Sequence, residues 1–421
     1  MSKKILFNIK HLYTPIDKGI PARGKEMNEI LVLDRAYIVI ENGLIKATGT
    51  GADYNDYVDS DTRLVDLSGY IVTPGFVDSH THLVHGGSRE NEFSQKLNGV
   101  DYMEILAAGG GILSTVRSTR NASYGELYAK SKKSLDTMLK FGATTIEAKS
   151  GYGLDWENEK KQLEVAKALN NSHPVDIAST FMGAHAIAPE YKDDKDEYVR
   201  IIVEEMLPRV KSENLAEFCD IFCEHGIFEV EDSRYILEKA KELGFKIKIH
   251  ADEIVSLGGA ELAAKTNALS AEHLMAASDE GIINMGEKGV IANLLPGTTF
   301  SLLKNTYAPA RKMIENNVAI ALSSDYNPGS CPSENIQFVM QLGCMYLRMT
   351  PYEVLTATTL NGAYAIDRSH VAGSIEEGKK ADIVIHDAPN LDYIYYRFGI
   401  NHIKYVYKNG ELVVKDGQLN Y

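Results

Sequence analysis

The feature that most constrains this chain is an alternation. Between residues 75 and 325, eight short apolar runs recur, separated by longer amphipathic stretches. The runs fall at 75–78, 143–148, 175–181, 219–223, 246–249, 268–271, 289–294 and 318–323. Runs this short, bounded by turn residues, read as buried strands. The stretches at 124–140, 156–170, 196–211 and 233–243 carry apolar residues at helical spacing; in the second these are Leu163, Ala166, Ala168 and Leu169. Eight strands alternating with helices predict an α/β fold, a (β/α)8 TIM-type barrel, closed by further helices at 333–348 and 351–366. A doubly wound open sheet is the alternative, and the count of eight favours the barrel.

The two ends differ from this middle. Short β-like runs at 30–33, 37–41 and 44–47 include a turn at Glu41-Asn42-Gly43. The C-terminal part repeats the style at 381–386, 403–407 and 411–414, with a turn at Lys408-Asn409-Gly410. Asn-Gly supplies the positive φ angles of a tight hairpin. The expectation is a small discontinuous β-sandwich domain from residues 1–73 and 370–421, beside a barrel of residues 74–369.

At roughly 100–200 residues per domain, 421 residues accommodate a large barrel plus such a module. The 44 Lys and Arg against 58 Asp and Glu leave a formal charge of −14, which argues against a nucleic-acid binder. The first residues lack an apolar leader core, and no apolar run approaches the roughly 18 residues of a membrane helix. A cytoplasmic protein is expected, without nucleic-acid or membrane partners. The four cysteines are too few to staple a chain this long, and Cys219 and Cys223 read as small apolar residues of a buried strand.

Chemistry in a TIM barrel gathers at the C-terminal ends of its strands. Those ends carry, in order, His80 and His82; Lys149 and Tyr152; His185; Glu224 and His225; His250 and Glu253; His273; and Asp325. In Val77-Asp78-Ser79-His80-Thr81-His82, the two histidines lie two residues apart, point the same way on an extended chain and can share a metal ion. Neutral imidazoles suit zinc, iron or nickel, and His250 with Asp325 would complete the set. Such an ion lowers the pKa of bound water toward roughly 7. Asp325 could then accept a proton, with His273 stabilising the oxyanion or shuttling it, which points to hydrolysis at a carbonyl or amidine carbon.

The segment 72–82, the β-rich ends and the closing Gly378-Lys379-Lys380-Ala381-Asp382-Ile383-Val384 resemble the amidohydrolase superfamily. Five segments resemble its imidazolonepropionase family in particular: Gly86-Gly87-Ser88-Arg89-Glu90, Lys149-Ser150-Gly151-Tyr152-Gly153-Leu154, Phe181-Met182-Gly183-Ala184-His185-Ala186, Ile249-His250-Ala251-Asp252-Glu253 and Asp325-Tyr326-Asn327-Pro328-Gly329-Ser330. The resemblance implies hydrolytic opening of 4-imidazolone-5-propanoate to N-formimidoyl-L-glutamate, in histidine degradation. It implies one divalent or trivalent transition metal ion, zinc or iron, on His80, His82, His250 and Asp325. Asp325, His273 and Glu253 would be catalytic. Arg89, Tyr152, His185, Glu253, Asn327, Gly329 and Ser330 would bind the small-molecule substrate, and a homodimer is expected. A guanidinium such as Arg89 suits the substrate carboxylate, and Glu253 could accept a ring N–H.

Blander readings stand beside these. Arg89 could be a surface residue paired with Glu90 or Glu92, His225 reads as structural, and Gly109-Gly110-Gly111 reads as an active-site flap or turn. Glu224 could support a second ion, but a mononuclear site is expected. A metal-dependent deaminase of a heterocyclic base would use the same core and would not need Arg89 and Tyr152. A barrel that has lost its chemistry would not need to keep the full ligand set.

Overall fold

A computed structural model describes residues 3–100, 104 and 109–421. The N-terminal part supplies β1 (Lys3–Pro15), β2 (Ile30–Glu41), β3 (Leu44–Thr50), β4 (Thr62–Asp66) and β5 (Ile71–Pro74). Eight strands follow: β6 (Phe76–Asp78), β7 (Ala143–Lys149), β8 (Asp176–Ala184), β9 (Phe218–Cys223), β10 (Lys246–Ala251), β11 (Ser270–His273), β12 (Ile291–Leu294) and β13 (Ile320–Leu322). The chain ends with β14 (Ile383–His386), β15 (Ile403–Lys408), β16 (Glu411–Lys415) and β17 (Gln418–Leu419).

Strands β6 to β13 pair in sequence order, every neighbour parallel. Buried on both faces, they carry the near-continuous apolar runs that made them readable. The first and last strands meet just beyond their ends. Thr81 bridges Tyr326, the His82 N–H donates to the Tyr326 carbonyl at 2.8 Å, and the Asp325 N–H donates to the His80 carbonyl at 3.0 Å. Asp78 pins the same seam, accepting from the backbone and hydroxyl of Ser324 at 2.9 and 2.6 Å. The seam of the barrel therefore runs through the residues singled out for chemistry.

Helices Tyr124–Lys140 and Trp156–Ser172 stand where expected, started by Ser123 in a capping box with Glu126 and by Asp155. Leu163, Ala166 and Leu169 are buried together with Val165, whereas Ala168 is only partly covered. The stretch expected as one helix at 196–211 carries a π turn at Ile202–Met206. Pro208, in the turn that follows, has no N–H to continue the ladder to Glu204. The expected 351–366 helix breaks at Thr359 into Pro351–Thr358 and Leu360–Ala365.

Strands from both ends form one mixed nine-stranded sheet, β17-β16-β15-β14-β5-β1-β2-β3, with β4 beside β1. It has its own apolar core, including Leu6, Ile38, Val72, Ile383 and Tyr407. Both Asn-Gly turns are left-handed at each central residue: Asn42 and Gly43 at φ 52° and 82°, Asn409 and Gly410 at 49° and 73°. They also abut, since the Ala381 N–H donates to the Gly43 carbonyl while its own carbonyl accepts from Gly410. The sheet is tied to the barrel by Asp176 at the start of β8, which pairs with Lys380 and Lys408 at 2.7 and 2.6 Å. No helix among the described residues is long and apolar enough to cross a membrane.

Candidate active site

His80 and His82 follow β6, and His250 lies near the end of β10. Their ligand atoms all lie within 4.8 Å of one another, and all three side chains are buried. Among the described residues this is the one such gathering of three ligating side chains. Asp325 joins them after β13, its Oδ1 3.5 Å from His80 Nε2 and 3.6 Å from His82 Nε2. Burial, followed by the neighbouring Lys149 charge, holds His80 well below the usual imidazole range; burial and His185 do the same for His82. Both are therefore neutral, the form that ligates a metal.

Buried ring nitrogens normally find partners. Here His80 Nε2, His82 Nδ1 and His250 Nε2 make no hydrogen bond among the described residues, and His250 Nδ1 faces only the Asp220 carboxylate, at 3.0 Å. A cluster of neutral imidazoles with open nitrogens and an adjacent carboxylate fits a transition-metal ion. Asp325 is itself pushed up to about 6 by burial, against hydrogen bonds from Thr298, Asn327 and Ser330. Its φ of 54° and the 69° of His273 are left-handed for residues with a Cβ, a strain typical of functional sites.

Around this centre, the His185 ring stacks on His82, with centroids 4.8 Å apart and planes at 12°, and its Nδ1 lies 3.0 Å from the Gly151 carbonyl. The Tyr152 ring lies 5.5 Å from His82 and 5.1 Å from His185. His273 Nε2 faces Glu253 Oε2 at 3.5 Å. Burial, then the Asp325 and Glu224 charges, push the Glu253 carboxyl up to about 8. The loop after β13 is built around Asn327, whose Oδ1 accepts from the N–H groups of Gly329 and Ser330 while its Nδ2 donates to the Asp325 carbonyl.

Arg89 is not a surface residue. Its Nε and Nη2 donate to Glu92 Oε2 at 2.9 and 2.7 Å, and only about a tenth of either side chain is exposed. Its Nη1 reaches the β13 loop, where a Cβ built on Gly329 would fall 1.9 Å from it. A cavity of about 220 Å³ opens beside Arg89, Glu92, Gly109 and Gly110. The Gly111 N–H donates to Glu92 Oε1, so the glycine triplet is a turn moored to the partner of Arg89.

The remaining strand-end residues have structural roles. Glu224 accepts from the N–H groups of His225 and Ile254, and the exposed His225 pairs with Glu229. Cys219 and Cys223 are buried, unbridged members of β9. Two carboxylates escaped the sequence reading, Asp220 and Glu272, which stand behind His250 and His80 at 3.0 and 2.9 Å. The available signal was a charge inside the apolar run at 219–223 and another just past the run at 268–271.

A sequence profile of the amidohydrolase family matches residues 71–417. The imidazolonepropionase of Streptococcus sanguinis is 58% identical over 415 residues, covering 99% of each chain. That of Streptococcus pyogenes serotype M1 is 56% identical over the same span, again covering 99% of each. Among solved structures, an adenosine deaminase from Xanthomonas campestris, with bound zinc, superposes with a TM-score of 0.72 at 17% identity, covering 100% of this chain and 94% of that one. The guanine deaminase of E. coli gives 0.72 at 15% identity, covering 99% of both. These structural neighbours share the fold.

Proposed function

The chain belongs to the amidohydrolase family, in its imidazolonepropionase branch, and from that membership we propose that the barrel mouth opens 4-imidazolone-5-propanoate with water to give N-formimidoyl-L-glutamate, a step of histidine degradation. The observation that carries the reading is the meeting, at one buried centre, of His80, His82, His250 and Asp325 in a chain nearly collinear with imidazolonepropionases. These four residues would hold one ion, zinc or iron. When bound, it supplies a Lewis acid that polarises the amide carbonyl and makes water more acidic.

The chain's own groups account for the rest. Arg89, held by Glu92 and turned toward Gly329, offers Nη1 to the substrate carboxylate. Tyr152 and His185 flank the ring, while Asn327 and Ser330 shape the loop beneath it. Asp325 Oδ accepts the proton that water loses as the water oxygen bonds to the ring carbonyl carbon. The cyclic C–N bond then breaks, and the leaving nitrogen needs a proton. Glu253, whose largely covered carboxyl is pushed up to about 8, and His273 at 3.5 Å form the pair that delivers it. A homodimer in the cytoplasm belongs to the same reading, and light scattering on the purified chain tests its oligomeric part.

The test is mass spectrometry on freshly generated 4-imidazolone-5-propanoate. Ring opening adds one water and releases no ammonia. Ammonia released from a heterocyclic amine, with the imidazolone untouched, would instead identify a deaminase.

A further inference from the structure

Beneath the three histidines lies a set of charged side chains that the reaction above does not use. Glu147, Lys149, Asp220, Lys248 and Glu272 project into the barrel from β7, β9, β10 and β11, and all five side chains are fully buried. Charges are rarely enclosed in this way unless each is paired. These are paired in a definite order.

Glu147 is the branch point. Its Oε2 takes both ammonium groups, Lys149 at 2.8 Å and Lys248 at 2.9 Å, while its Oε1 accepts the Thr180 hydroxyl. Along one arm, Lys149 donates to Asp220 Oδ2 at 2.7 Å, and that oxygen lies 3.0 Å from His250 Nδ1. Along the other, Lys248 lies 3.5 Å from Glu272 Oε1 and donates to the Ser79 carbonyl at 3.1 Å. Glu272 Oε2 meets His80 Nδ1 at 2.9 Å, and its Oε1 also accepts the Ser270 hydroxyl. Three carboxylates face two ammonium groups, leaving one negative charge in excess beneath the histidines.

A carboxylate at Nδ1 fixes both the tautomer and the ring plane of an imidazole and turns Nε2 outward as a ligand. From this geometry we infer that Asp220 and Glu272 are positioning residues for the metal-holding His250 and His80, and that Glu147 governs both arms through Lys149 and Lys248. Among the described residues His82 has no such support; its own stacking partner, His185, lies on the substrate side. Two ligands are thus fixed from within the barrel, and the third is fixed by the ring against it. The inference rests on the metal-site reading given above and extends it to five residues that make no step of the hydrolysis.

The test reads metal rather than turnover. Full-length protein is loaded with zinc and challenged with a chelator series, and its thermal midpoint is followed with and without zinc. Glu272→Gln and Asp220→Asn should each weaken zinc retention by about 10- to 100-fold. Glu147→Gln, which touches neither histidine, should also weaken it and should shrink the zinc-induced rise in thermal midpoint. Removing one member of a buried pair can itself destabilise the fold. The double replacement Lys149→Met with Asp220→Asn therefore removes opposite charges together and tests the same arm. Zinc affinity equal to wild type in these folded variants overturns the inference. So does a lower midpoint of the zinc-free protein with unchanged zinc affinity, since that marks packing alone. A wild-type chain that retains no zinc or iron overturns the metal site itself and is distinguished by the wild-type measurement alone.

Discussion

Alanine at position 329 is a sharp probe of the corner proposed to bind the substrate carboxylate. Gly329 is not in the left-handed region, so a methyl group there costs little backbone strain. Its effect is steric and local. The new Cβ would sit 1.9 Å from Arg89 Nη1 and 2.7 Å from Cζ, where ordinary contact needs 3.4–4 Å. The guanidinium must retreat by about 1.5 Å, and it is anchored at Nε and Nη2 by Glu92. Retreat would therefore misplace the group proposed to meet the substrate carboxylate. Loss of one charge-assisted hydrogen bond costs roughly 1.5–3 kcal/mol, or about 10- to 150-fold in kcat/KM. The loss should appear mainly in KM for 4-imidazolone-5-propanoate, with bound metal unchanged. Steady-state kinetics beside metal analysis make the check. An unaltered KM in a folded, metal-loaded Gly329→Ala variant would refute the placement of Arg89 as the carboxylate anchor.

Three further outcomes follow from the geometry. Gly410→Ala places a Cβ at φ 73° and 2.8 Å from Ile40 Cγ2, so chemical denaturation should show a loss of about 2 kcal/mol; an unchanged midpoint would contradict the account of the paired turns. His386, buried against Thr73 and held down to about 3 by that burial, stays neutral in the fold while an unfolded histidine protonates below about 6.5. Its contribution is thus complete above pH 6.5 and lost as pH falls toward 3, so His386→Asn should flatten the decline in stability across that window; an equal slope would refute it. Ser123→Ala removes a capping box and should cost about 1 kcal/mol without altering kcat.

Much of this architecture is local information in the chain. The barrel strands announce themselves because both faces of β6 to β13 are buried, and each wrote a short apolar run into the sequence. His80 and His82 are visible because they stand two residues apart, and the Asn-Gly turns are visible because positive φ selects those residues. Arg89 with Glu92 was within reach for the same reason, being three residues apart. The pairings beneath the three histidines are of another kind. His80 meets Glu272, and Lys149 meets Asp220, only after the strands come together. A charge inside a short strand, such as Lys248, gives no sign of its partners until its neighbours across the barrel are known. Nor does helical periodicity in 196–211 reveal the π turn, because the burial pattern survives it.

The most direct test of the whole account is a metal titration of the chelator-stripped chain, following hydrolysis of 4-imidazolone-5-propanoate. Activity should rise from the spontaneous rate and level off at one zinc or iron per chain, and His250→Ala should abolish the rise. Full activity in the stripped protein, or a plateau only at two ions per chain, would contradict a single ion held by His80, His82, His250 and Asp325.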